Sequence, residues 1–178
     1  MRLTWLFIVV SLGFTASAPF TEKEFMNNLA RFCGKAFAGS AIFPEGDKNP
    51  FKGQPLKIHV ASCSAEEIRM PFQVGEDRSR SWILTLDKRG LQLKHDHRHA
   101  DGTPDEITMY GGYATSGGTV HAQSFPADDY TAKLIPAAAT NEWSLVLSED
   151  LKTLSYILKR DGQLRFHADF DLTKPLPH

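Results

Sequence analysis

Three of the seven histidines of the chain alternate within five residues, as His95, His97 and His99. If this segment forms a β-strand, alternate side chains point to the same face of the sheet, and the three imidazoles share that face. Imidazole nitrogens bind transition metals, transfer protons and pair with anions. This cluster is therefore the first place in the sequence to look for chemistry.

The hairpin that precedes the cluster predicts which face the imidazoles occupy. The segment from Asp87 to Gly90 is a turn sequence between two alternating apolar segments. Leu91, Leu93 and His95 follow one another at intervals of two residues, so on a strand the leucines share a face with the histidines. If these leucines point inward, the histidines do too. Pairing Leu86 with Leu91 sets the register of the whole hairpin. The predicted cross-strand pairs are Leu84 with Leu93, Trp82 with His95, Arg80 with His97, and Arg78 with His99.

One interpretation of the cluster is a metal site. Alternating histidines on a strand can present imidazoles to one ion, and a neighbouring strand supplies a further ligand. The candidate ligands are His95, His97, His99, His121 and Glu106. The predicted neighbours Arg78 and Arg80 weigh against this interpretation, because they place cations beside the ion.

A second interpretation is an anion-binding pocket. Arginines beside histidines can hold a carboxylate or phosphate group, while apolar residues on the same strands hold the rest of the molecule. The candidate ligand-binding residues are Arg78, Arg80, Trp82, Leu84, Leu93, His95, His97 and His99. A third interpretation is a solvated hairpin tip, because residues 100–106 are a polar turn sequence. The sequence leaves these three alternatives open.

Other signatures of catalysis are missing from the sequence. It contains no Gly-x-Ser-x-Gly motif of the α/β-hydrolases. The glycines at 111–112 and 117–118 lack the strand-to-helix setting of a phosphate-binding loop. His167 is predicted to face Tyr156 across the hairpin at 161–162, which indicates packing rather than catalysis. We therefore expect a binding protein rather than an enzyme.

The composition limits the class of protein. The 178 residues are 42% hydrophobic and 23% charged, which is typical of one globular domain. The 20 basic and 21 acidic residues leave a formal net charge of −1. This balance argues against nucleic acid as a partner, because binding phosphates requires a basic surplus.

Residues 1–18 are typical of a secretory signal peptide. Arg2 precedes an apolar run that ends in the small residues Ala16, Ser17 and Ala18. The run is too short for a membrane span with proper flanks. We therefore expect a secreted or periplasmic protein in which residues 19–178 form a single domain.

The two cysteines, Cys33 and Cys63, predict one disulfide, because an exported protein folds in an oxidising compartment. A bond across a loop of this length stabilises the fold by roughly 3–4 kcal/mol in the chain-entropy model. Neither cysteine belongs to a Cys-x-x-Cys pair, which excludes the usual redox and zinc-ribbon motifs.

One helix and about ten strands follow from the spacing of the apolar residues. Thr21 and Glu24 form a capping box before apolar residues at helical spacing, which predicts a helix over about 22–33 that ends at Gly34. From there the apolar period is 2, as in strands. The predicted strands are 56–60, 68–74, 82–86, 91–93, 107–113, 118–125, 129–135, 142–148, 152–160 and 163–170. Tight turns between them predict an all-β, antiparallel up-and-down meander, and closing it into a barrel removes exposed edges.

The order of these elements resembles the calycin-type barrels, which include the lipocalins and the fatty-acid-binding proteins. The helix is followed by Gly34-Lys35-Ala36-Phe37-Ala38-Gly39, in which Phe37 takes the place of the tryptophan in the lipocalin Gly-x-Trp motif. The C-terminal helix of lipocalins has no counterpart, because residues 171–178 are short and contain two prolines. The resemblance implies a cavity for a small apolar or amphipathic ligand, and the arginines favour an anionic one. A structural or interaction protein of the cell envelope is the alternative without a cavity.

Overall fold

The structure is a computed structural model that describes residues 18–177. The predicted signal peptide lies outside the described residues except for Ala18, so export stays a prediction. The helices are α1 (Ala18–Ala30) and α2 (Asp129–Leu134), and two short 3-10 turns cover Gly46–Lys48 and Pro136–Ala138. The strands are β1 (Ala36–Phe43), β2 (Leu56–His59), β3 (Ser62–Cys63), β4 (Glu67–Val74), β5 (Asp77–Asp87), β6 (Gly90–His97), β7 (Tyr110–Tyr113), β8 (Ala122–Pro126), β9 (Asn141–Leu147), β10 (Thr153–Arg160) and β11 (Gln163–Pro175).

Ten of these strands form one antiparallel sheet in the order β7-β6-β5-β4-β2-β1-β11-β10-β9-β8, and the two-residue β3 pairs with β4. Neighbours in the sheet are successive along the chain, except that β2 pairs with β4, past the two-residue β3, and β1 pairs with β11. The sheet therefore curls into a nearly closed barrel, which confirms the predicted all-β meander. The one break in the ladder lies between β7 and β8.

The gap between β7 and β8 is bridged by a few hydrogen bonds and by α2. The amide of Thr115 donates to the carbonyl of Ser124 (2.9 Å), and the amide of Asp128 donates to the carbonyl of Gly111 (2.9 Å). The fully buried Thr131 on α2 adds a third link, because its hydroxyl oxygen accepts from the Gly111 amide at 2.7 Å. A helix thus completes the barrel where the strands stop pairing.

The prediction of a strand over 129–135 is wrong, because this segment forms α2. The Asp128 side chain caps the helix by accepting a hydrogen bond from the Thr131 amide at 2.8 Å. A side-chain cap of this kind satisfies an otherwise unpaired amide of the first turn and stabilises the helix. The cap at Asp128 therefore favours a helix over 129–134, although the alternation of apolar residues there also fits a strand.

The helix α1 covers one end of the barrel. It begins at Ala18 and ends at Ala30, earlier than predicted, so Thr21 lies inside the helix rather than at its cap. Phe25 and Leu29 are fully buried in the core. The buried Glu22 carboxylate accepts a hydrogen bond from the Leu91 amide at 2.8 Å, which ties the helix to β6.

The predicted disulfide between Cys33 and Cys63 is confirmed. It joins the segment after α1 to β3 and fixes the helix over the barrel. Gly34 follows with a φ of +78°, a conformation that favours glycine, and its amide donates to the Val60 carbonyl at 2.7 Å. Among residues 18–177, no helix is long and apolar enough to cross a membrane.

The barrel has two different ends. The closed end carries α1 and the connections 60–66, 88–89, 114–121 and 148–152. The open end carries the connections 44–55, 75–76, 98–109, 127–140 and 161–162. The segment 90–97 runs from the closed end towards the open end, so the histidines of β6 approach the open end in sequence order.

Candidate functional site

A cavity of about 270 Å³ opens at the open end of the barrel. Its walls are mostly aromatic, and two arginines, two histidines, two tyrosines and one serine supply the polar groups. The lining residues are Pro50, Phe51, Phe72, Arg80, Ser81, Trp82, His95, His97, Tyr110, Tyr156, Leu158, Arg165 and Phe166. An apolar cavity with a few convergent polar groups is the usual form of a small-molecule site.

Stacked rings form the deep part of the cavity. The Trp82 ring lies between Tyr156, at 4.4 Å and 11°, and Phe72, at 5.0 Å and 21°. Phe170 packs edge-on against Trp82 at 6.1 Å. Beyond these rings the interior is filled by the barrel's own side chains, including the buried Trp143. The cavity is therefore a cup at one end rather than a channel through the barrel.

His95 forms part of the wall and is fixed through both ring nitrogens. Its Nδ1 lies 3.2 Å from the carbonyl oxygen of Tyr110, and its Nε2 lies 2.9 Å from the hydroxyl of Tyr156. The ring also stacks on Tyr110, with centroids 4.7 Å apart. Burial lowers the pKa of His95 to about 3, so this imidazole is neutral at neutral pH.

His97 continues the wall towards the rim. Its Nε2 lies 2.9 Å from the hydroxyl of Tyr110. Burial lowers the pKa of His97, and the charge of Arg80 lowers it further. Burial raises the pKa of Tyr110 to about 12, which keeps the phenol protonated. The polar groups of the wall are therefore uncharged at neutral pH, and the positive charge is confined to the arginines.

Arg80 and Arg165 supply the charge at the cavity. Arg80 forms an ion pair with Asp77 and lies 6.0 Å from the centroid of the Phe51 ring. Arg165 is exposed and forms no ion pair with any residue that the structure describes. The site thus offers one paired and one unpaired guanidinium group to an anion.

A β-bulge explains why Arg165 and Phe166 both line the cavity. Leu158 pairs with Phe166 and Lys159 with Leu164, so Arg165 is an extra residue on β11. A bulge redirects side chains and is common at the rims of barrels. The bulge also makes the predicted pairing of His167 with Tyr156 wrong, since it shifts His167 opposite Ile157.

The predicted register of the hairpin between β5 and β6 is confirmed for four pairs. The observed pairs are Leu86 with Leu91, Leu84 with Leu93, Trp82 with His95, and Arg80 with His97. The structure brings Arg80, Trp82, His95 and His97 together in the cavity wall. His95 is buried and His97 half-buried, so neither belongs to a solvated hairpin tip.

The remaining predicted ligand-binding residues lie elsewhere. Leu84 and Leu93 are fully buried in the core below the cavity. Arg78 does not pair with His99, because the pairing of β5 with β6 ends at Arg80 and His97. Phe72 pairs with Arg80 and Val74 with Asp77, which leaves an extra residue on β5 beside β4. This second bulge turns Arg78 away from the cavity, into a groove lined by Lys57, His59 and Gln73. His99 is exposed beyond the end of β6.

The predicted metal ligands are not gathered at one point. His121 lies in the 114–121 connection at the closed end, whereas His97 lies towards the open end. Within residues 18–177, one group of three potential donors lies close enough for a shared ion: His99, Asp105 and Glu106, on the outside of the 98–109 connection. Metal binding stays a prediction.

The chain matches no protein-family model, and no match was found among the curated proteins. The chemistry of the site therefore follows from its own geometry. A neutral aromatic cup with guanidinium groups at its rim can enclose an apolar ring and pair with an attached anion.

Sequence reasoning missed several lining residues. Tyr110 and Tyr156 carry the hydrogen bonds to the histidines, but the sequence does not specify how β7 and β10 lie relative to β6. Phe51 lies in the 44–55 connection, which composition marks only as a loop. Arg165 and Phe166 depend on the bulge. The one available signal for Tyr156 was its place in the alternation of β10, between Leu154 and Leu158.

Proposed function

We propose that this protein is a calycin-like barrel that binds a compact, planar small molecule with an anionic group. The observation that carries the proposal is the aromatic cavity at the open end with Arg80 and Arg165 among its lining residues. Aromatic rings favour flat apolar partners, and guanidinium groups favour carboxylates and phosphates.

The size of the cavity narrows the class of ligand. Pockets for drug-sized molecules span about 300–1,000 Å³, so a cavity of about 270 Å³ fits a smaller ligand. A long alkyl chain would have to pass the stack of Phe72, Trp82 and Tyr156, which fills the barrel below the cavity. The cavity therefore supports an aryl acid better than a fatty acid.

The arginines differ in what they offer the anion. Arg80 already shares its charge with Asp77, so a ligand gains less from it. Arg165 has no such partner among the described residues, so pairing with a carboxylate leaves no other ion pair broken. We therefore place the anionic group of the ligand beside Arg165.

The disulfide between Cys33 and Cys63 supports an oxidising compartment. Together with the signal-peptide pattern of residues 1–18, it favours a role outside the cytoplasm. We propose that the ligand is met in the periplasm or in the extracellular medium.

Isothermal titration calorimetry with 2-naphthoate tests the proposal, and the neutral 2-naphthylmethanol is the matched ligand control. We expect the acid to bind and the alcohol to bind more weakly. Arg165→Gln should weaken binding of the acid by about two- to fivefold, as expected for losing an exposed ion pair. The control Lys159→Gln removes an exposed cation from the same hairpin outside the cavity and should leave the affinity unchanged. Equal affinities for acid and alcohol, or no heat of binding for either, would contradict the proposal.

A further inference from the structure

The direction of the hydrogen bonds around His95 is fixed by its neighbours. A backbone carbonyl oxygen only accepts hydrogen bonds. The Tyr110 carbonyl therefore accepts from His95, and Nδ1 carries the proton. The ring is 3% exposed and holds one proton at neutral pH. Its Nε2 is consequently a lone pair, and the hydroxyl of Tyr156 donates to it at 2.9 Å.

This arrangement commits the single hydroxyl proton of Tyr156. A tyrosine hydroxyl can donate one hydrogen bond and can also accept. With its proton held by His95, the oxygen can only accept from a third group. Tyr156 and His95 both line the cavity and are buried, whereas Arg165 is exposed, so we place this acceptor deeper in the cavity than the guanidinium group.

We propose that Tyr156 selects ligands that carry a hydroxyl or N–H donor on the ring, at the end away from their anionic group. His95 is the positioning residue, because it holds the Tyr156 hydroxyl in the accepting state. The class of ligand is then a hydroxyaryl or aminoaryl acid. This inference rests on the proposed function and adds the second polar group of the ligand.

The pair also predicts what the cavity rejects. An ether or carbonyl at the same position of the ligand has lone pairs only and meets the lone pairs of the Tyr156 oxygen. A buried polar group without a partner costs more than a hydrogen bond gains. The cavity should therefore distinguish a hydroxyl from a methoxy group on otherwise identical rings.

Calorimetric titrations with three acids test this selection: 2-naphthoate, 6-hydroxy-2-naphthoate and 6-methoxy-2-naphthoate. We expect the hydroxy acid to bind about three- to tenfold more tightly than 2-naphthoate, and the methoxy acid to bind more weakly. Tyr156→Phe should abolish the advantage of the hydroxy acid over 2-naphthoate. Tyr113→Phe removes an exposed hydroxyl that bonds to Asp87 outside the cavity and should preserve the advantage.

A second measurement does not depend on the folding of any variant. Nitrogen-15 NMR of histidine-labelled protein reports which ring nitrogen of His95 carries the proton, and we expect Nδ1. A proton on Nε2 would free the Tyr156 hydroxyl to donate and would overturn the inference.

The two proposals fail in different ways. If all three acids bind equally well, or if Tyr156→Phe keeps the preference, the selection by Tyr156 is wrong and the aryl-acid site stands. If none of the acids binds, the proposed function fails, and the inference fails with it.

Discussion

Replacing Thr131 by valine should open the seam between β7 and β8. Thr131 is fully buried, and its hydroxyl oxygen accepts from the Gly111 amide at 2.7 Å. Valine has nearly the same shape but no oxygen. The substitution keeps the packing and removes the hydroxyl, which also donates to the Asp128 carboxylate (2.8 Å) or the Gly111 carbonyl (2.9 Å), so its effect reports on both hydrogen bonds.

The magnitude follows from which group loses its partner. The Gly111 carbonyl keeps the amide of Asp128, at 2.9 Å, but the Gly111 amide is left without an acceptor. A buried donor without a partner costs about 1–3 kcal/mol. For a domain of this size, each kcal/mol corresponds to about 2–4 °C in Tm. A cost of about 2 kcal/mol therefore predicts a Tm lower by about 4–8 °C.

Thermal unfolding and amide hydrogen exchange together check this prediction. Thr131→Ser is the matched control, because serine keeps the oxygen and loses one methyl group, worth about 0.8 kcal/mol. In Thr131→Val the amide of Gly111 should exchange faster than in the wild type, and in Thr131→Ser it should not. A valine variant as stable as the wild type, with slow exchange at Gly111, would refute the role assigned to Thr131.

Three further predictions concern the disulfide and two buried ionisable groups. Replacing Cys33 and Cys63 by serine should lower the free energy of unfolding by roughly 2–5 kcal/mol, and a thiol reductant should then destabilise only the wild type. Burial raises the pKa of Glu22 above its ordinary value of 4.5, so the folded protein holds the carboxyl proton more tightly than the unfolded chain does. The contribution of Glu22 to the free energy of unfolding therefore falls as the pH rises from 4.5 through the raised pKa. Glu22→Gln should remove this fall, as measured by urea unfolding at pH 4.5 and 7. Burial lowers the pKa of His95 from 6.5 to about 3, so below pH 6.5 the unfolded chain binds a proton that the folded protein excludes. As the pH falls below 6.5, this residue should lower the free energy of unfolding by about 1.4 kcal/mol per pH unit. Urea unfolding of His95→Gln should show a smaller decrease over the same pH range.

The hairpin between β5 and β6 could be predicted from the sequence because its turn and its alternation agree. The short turn at Asp87 to Gly90 sets the register, and Trp82, Leu84, Leu91 and Leu93 then fall on the inner face. Trp82 and His95 were placed opposite each other on this basis. Local signals suffice when both strands and the turn lie within about twenty residues.

The two bulges could not be predicted, because an extra residue leaves no clear trace in an alternating sequence. The bulge on β5 turns the predicted ligand-binding residue Arg78 away from the cavity. The bulge on β11 adds Arg165, a lining residue that was not predicted. The pairing of Tyr156 with His95 also escaped prediction, since the two residues are 61 positions apart. Contacts of this kind depend on how the barrel closes, which the sequence pattern does not specify.

Different interactions hold the two ends of the barrel, and those at the open end maintain the shape of the cavity. At the closed end, the disulfide and Glu22 hold α1 over the core. At the open end, the wall depends on cross-links between side chains instead. Tyr110 is the central one, because its carbonyl fixes His95 and its hydroxyl bonds to His97. Tyr110 lies on β7, the strand that Thr131 ties to the rest of the barrel at the neighbouring Gly111. Weakening that tie should therefore disturb the cavity as well as the fold, and Thr131→Val should bind 2-naphthoate more weakly than Thr131→Ser does.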